Sequence, residues 1–83
     1  MAVDRELMLQ TMNAILARQG KPPVTGTDQA LRAAGFRSLD FSELALRLES
    51  AAGRELNFDA APLRRIATVG DVLDFFEKAC VDA

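Results

Sequence analysis

Gly35-Phe36-Arg37-Ser38-Leu39-Asp40-Phe41-Ser42-Glu43-Leu44 is the stretch on which the fold turns, because the chain changes there from loop to helix. Gly35 interrupts what precedes it. Ser38 is a favoured N-cap, since its side-chain oxygen can accept a bond from a backbone N–H that the helix leaves unpaired. Asp40 in the first turn suits the positive end of the helix. Phe41, Leu44, Ala45 and Leu48 then recur at helical spacing and form an inward stripe. Asp40, Glu43, Arg47 and Glu49 lie largely outside that stripe. Gly53 is the stop signal. The pattern predicts a helix from Ser38 to about Ala52.

Upstream, Val3, Leu7, Met8, Met12, Ile15 and Leu16 make one apolar stripe, which predicts an amphipathic helix from about Val3 to Gln19, ending near Gly20. Leu9 falls off the pattern. Lys21-Pro22-Pro23-Val24-Thr25-Gly26-Thr27 cannot be helix, because two prolines and a glycine punctuate it. Residues 29–34 predict a short helical turn, with Leu31 and Phe36 pinning this long connection to the core. Long loops in small domains often carry function.

Downstream, a short helix is expected over Asp59 to Arg65, with Pro62 in its first turn and Leu56, Phe58, Leu63 and Ile66 facing inward. Thr68-Val69-Gly70-Asp71 fits a capping box, with an acidic residue three places after the threonine. Val69, Val72, Leu73, Phe76 and Cys80 follow at helical spacing and predict a last helix that ends near Val81. Nothing reads as a strand. The expected fold is all-α: a small four-helix bundle in one domain spanning residues 1–83, with three main helices, a short third helix and a long loop between the first two.

Composition narrows the chemistry. The chain has 83 residues, one cysteine (Cys80) and no histidine. An internal disulfide is impossible, a conventional zinc site lacks ligands, and the Ser-His and Cys-His pairs of nucleophilic catalysis are missing. No metal site and no enzyme activity are expected. Cys80 reads as a small apolar residue of the last helix. The net charge is −2 with no basic stripe, so nucleic acid is not an expected partner. No apolar run is long enough to span a bilayer. Met1-Ala2-Val3-Asp4-Arg5-Glu6 has no apolar core of a signal peptide, so the expected location is cytoplasmic.

The segment from Gly35 to Leu44 resembles the attachment segment of acyl and peptidyl carrier proteins. That family usually has Gly, a hydrophobic residue, Asp, Ser and Leu, followed by a helix bearing Glu-Leu. Other features agree: the preceding amphipathic helix, the Pro/Gly-containing loop, the Arg64-Arg65-Ile66-Ala67-Thr68-Val69 junction and the closing Asp71-Val72-Leu73-Asp74-Phe75 helix. Where the family usually has Asp before the serine, this chain has Arg37, which points to a divergent branch. The resemblance implies a bundle of acyl-carrier type and a 4′-phosphopantetheine arm attached to Ser38. It implies loading from coenzyme A by a phosphopantetheinyl transferase. It further implies charging by an acyl- or aminoacyl-loading ligase, and use by synthase-type enzymes of fatty-acid, polyketide or nonribosomal-peptide kind. The protein would act as a monomer.

The residues make physical sense on their own. A phosphate ester needs a reachable hydroxyl, and a helix N-terminus favours the phosphodiester. Arg37, beside Ser38, is a candidate phosphate contact, because a guanidinium can donate two bonds to it. Partner enzymes would meet the face around Ser38, with Leu39 and Leu46 offering apolar contact and Asp40, Glu43 and Arg47 offering charge. Two other readings stay open: an unmodified helical interaction module, and a helix-turn-helix DNA binder whose exposed helix would carry repelling acids.

Overall fold

The computed structural model describes residues 4–53 and 65–82, and those residues fold into four helices: α1 (Arg5–Arg18), α2 (Leu31–Ala34), α3 (Ser38–Ala52) and α4 (Val69–Asp82). The all-α expectation holds for them. The expected helix at 59–65 lies outside the described residues except at its last position, as do Leu56, Phe58 and Leu63.

The two ends of α1 and the start of α4 each have a local chemical reason. Asp4 caps α1, its Oδ1 accepting the Leu7 N–H at 2.8 Å. At the other end Gly20 takes φ 74°, and the Gly20 and Lys21 N–H groups return to the carbonyls of Ala17 and Leu16, both at 3.0 Å. These paired bonds make a Schellman turn and satisfy carbonyls the helix leaves over. The α4 capping box is complete. The Asp71 N–H donates to Thr68 Oγ1 at 3.2 Å, and Asp71 Oδ2 accepts from the backbone of Ala67 at 2.9 Å and Thr68 at 3.0 Å. The Ala67 bond above all, then the Thr68 bond, holds the Asp71 carboxyl below its ordinary pKa.

The core is where the apolar stripes meet. α1 packs against α3 and α4. Met8, Met12, Ile15 and Leu16 from α1 are buried against Leu44, Ala45 and Leu48 from α3. α4 adds Val69, Val72, Leu73, Phe76 and Ala79. Leu9, read as off-pattern, is half-buried against this core, and Ala79 was not anticipated. The Cys80 side chain lies outside the described set. Phe41, Phe75 and Phe76 form a ring cluster with centroids 4.9–5.5 Å apart, separations at which tilted and edge-to-face rings attract.

The long connection is stitched down rather than loose. Val24 donates its N–H to Asn13 Oδ1 of α1 at 2.9 Å and packs on the core. Ala30 and Thr68 form an isolated antiparallel bridge, with Leu31 N–H to Ala67 O at 2.9 Å and Val69 N–H to Gln29 O at 3.0 Å. Gly70 N–H reaches Thr27 O at 2.7 Å. A Cβ at Gly70 would sit 3.0 Å from that same oxygen, so a larger residue there would press on the loop. These bonds fasten the loop to the start of α4 and thereby place α2 beside the start of α3. As expected, Leu31 and Phe36 pack against the core.

Candidate functional site

The turn between α2 and α3 carries the predicted attachment residue. α2 closes on Gly35 at φ 79°, with Gly35 N–H to Arg32 O at 3.3 Å and Phe36 N–H to Leu31 O at 3.0 Å. Lys21 Nζ donates to Gly35 O at 2.6 Å, so the exit of α1 props the turn from outside. Phe36 is buried, which anchors the residue two places before Ser38.

The start of α3 differs from the sequence expectation in one respect. Arg37, with extended φ −110° and ψ 178°, is the N-cap, and Ser38 is the first helical residue. Asp40 decides this. Its Oδ2 accepts the Arg37 N–H at 2.8 Å, the return half of a capping box. The other half is missing, because a guanidinium has no acceptor. Ser38 is thereby relieved of capping, and it is exposed.

Asp40 requires a second correction. It was expected among the exposed docking charges, yet it is only 7% exposed. Its Oδ1 accepts from Gln19 Nε2 at 2.6 Å, so this carboxylate ties the end of α1 to the start of α3. A buried and doubly bonded carboxylate holds the turn in place and is not presented to a partner.

The remaining predicted contacts divide. Leu39 is 84% exposed and Leu46 67% exposed. Glu43 is half-buried and holds two arginines, Arg18 at 2.9 Å and Arg47 at 2.7 Å. Glu49 is half-buried too. The exposed row of α3 beyond Ser38 is therefore Leu39, Ser42, Leu46 and Ser50, at spacings of three and four, and it carries no charge. Of the charges expected on this face, Asp40 is buried, while Glu43, Arg47 and Glu49 are half-buried. The acids expected to repel DNA are thus reduced to the half-buried Glu43 and Glu49.

Beside Ser38 lies an open groove of about 660 Å³. Leu31, Phe36, Phe41 and Ile66 supply its apolar lining, and Arg32, Arg37, Ser38 and Ser42 its polar edge. No acidic residue is among the described lining residues. A space of this size suits a small organic group. Sequence reasoning brought Arg37 and Ser38 together and missed Arg32, which reads as an ordinary solvated residue of a short helix. Lys21 and Gln19 were also missed, since nothing in their local sequence signals a bond 14 or 21 residues away.

Among the described residues no cluster of acidic or cysteine side chains could hold a metal ion, and no helix is long and apolar enough to cross a membrane. No family model, curated protein or solved structure matches this chain.

Proposed function

We propose that this chain is an acyl carrier protein that bears 4′-phosphopantetheine on Ser38 and carries acyl or aminoacyl cargo as a thioester. The observation that carries the reading is the placement of Ser38. It is an exposed hydroxyl on the first residue of a well-anchored helix, free of capping duty, at the edge of a groove large enough for a small organic group.

The surroundings fit the group. The Ser38 hydroxyl would attack the coenzyme A phosphorus that bears pantetheine, forming a phosphodiester as adenosine bisphosphate leaves. The chain has no histidine and no acidic residue among the described lining of the groove, so a phosphopantetheinyl transferase would supply the base. The resulting diester lies at the α3 N-terminus, where backbone N–H groups and the helix dipole favour an anion, with the Arg37 guanidinium adjacent. When bound, the arm supplies the thiol; this protein supplies position and surroundings. A loading ligase and synthase-type enzymes complete the set of partners.

Intact mass after incubation with coenzyme A and a broad-specificity transferase tests this. The chain should gain the mass of one phosphopantetheine. Ser38→Ala should keep its circular dichroism spectrum and gain nothing, whereas Ser42→Ala should still load. No mass gain in the parent chain, or loading that survives Ser38→Ala, would overturn the assignment and favour an unmodified interaction module.

A further inference from the structure

Three arginines of the described chain are spoken for. Arg5 pairs with Asp74 and Glu77, while Arg18 and Arg47 share Glu43. Arg32, Arg37 and Arg65 make no ion pair among the described residues; Arg32 and Arg37 line the groove that Ser38 also lines, and Arg65 does not. The floor of that groove is apolar, and none of its described lining residues is acidic.

The position of Arg37 sharpens the point. It is an N-cap with no acceptor, and it places a cation at the positive end of α3. Both features disfavour arginine locally. Residues that break a local rule without a compensating contact tend to sit at functional sites. An incoming anion would supply that compensation, and Arg32 doubles the positive charge at the same rim.

We propose that the groove selects cargo whose acyl chain ends in a carboxylate, with the chain on the apolar floor and the carboxylate between Arg32 and Arg37. This rests on the carrier reading for the identity of what Ser38 bears. A neutral acyl chain would satisfy the floor and leave Arg32 unused and Arg37 with only the phosphodiester beside it. Contacts at such exposed arginines are individually weak and screened by salt. The groove therefore biases the choice of cargo and leaves it free to swing out to partner enzymes.

The test does not depend on a transferase. Ser38→Cys, in a Cys80→Ala background, is equilibrated with equal amounts of the symmetric disulfides of mercaptohexanoate and mercaptohexanamide plus their free thiols, so that the introduced thiolate attacks a probe disulfide and the probe's other half leaves as its thiolate. The two probes are close in shape and differ in charge, and neither contains phosphate, so any preference reports the carboxylate. Intact mass gives the ratio of adducts. The carboxylate adduct should be favoured about two- to five-fold at low salt. The preference should vanish at high salt and when Arg32→Gln and Arg37→Gln are introduced together. Amide resonances of Phe36 and Ile66 should shift in the carboxylate adduct, placing the chain in the groove. Equal adducts overturn the proposal. So does a preference that survives loss of both arginines, or an adduct that leaves those amides unmoved. A chain that shows the preference yet never gains phosphopantetheine would retain the anion-selective groove and lose the carrier reading.

Discussion

Arg37 sits where asparagine, aspartate or serine would serve the fold better. With no acceptor it leaves a backbone N–H of the first α3 turn unserved, and its charge opposes the helix dipole. Arg37→Asn should raise stability by about 0.5–1 kcal/mol. A urea titration should show the midpoint rising with unchanged slope. A lower midpoint would mean that the arginine stem packs on something the fold needs. The cap was legible at this position after all. A capping box pairs a residue with an acid three places on, and Asp40 stands three places after Arg37. Counting from Ser38 lands on Phe41, which can accept nothing. Residue preference alone pointed to Ser38, and the geometry of the return bond overrode it. Nothing local could have exposed the reach of Gln19 to Asp40 or of Lys21 to Gly35, because both bonds depend on how α1 exits.

At the scale of elements, α4 depends on a carboxylate at its mouth. The Asp71 pKa is lowered in the folded chain, so its contribution to stability is fully present above the unfolded value. That contribution is lost as pH falls through the lowered folded value. Asp71→Asn should therefore lower the melting temperature at neutral pH and leave a shallower decline below about pH 4. Parallel acid limbs in the two proteins would show that other carboxylates govern the transition. For α3, Leu39 and Leu46 are the exposed apolar side chains that a docking partner would meet. Leu39→Ser and Leu46→Ser should lower the melting temperature by only a few degrees, the cost of serine's weaker helix propensity, since both side chains are mostly in water. Each should lower kcat/KM for transferase loading about fivefold if it is a docking anchor. Wild-type rates in both variants would move the docking surface to another face.

For the molecule as a whole, periodicity carried most of the fold. α3 matches its expected limits, and α1 and α4 lie within two residues of theirs, because long apolar stripes flanked by glycine and caps leave little freedom. The loop resisted reading. Its attachments, from Ala30 to Thr68 and from Thr27 to Gly70, join segments about 40 residues apart through backbone atoms that carry no side-chain signature. The groove was equally hidden, since α2, α3 and Ile66 form it only once that loop is fastened. The central contribution of α1 has one more consequence. Met8 and Met12 both have zero exposure, so a peroxide reaches their sulfurs only when the bundle opens. Oxidation would turn each thioether into a polar sulfoxide that this interior cannot re-bury at no cost. The two methionines thus act as a clock of opening events. In native buffer their sulfoxides, followed by peptide mapping, should accumulate together and far more slowly than in urea. Each oxidised copy should stay open and expose itself to proteolysis, so damage in this protein would be close to all-or-none.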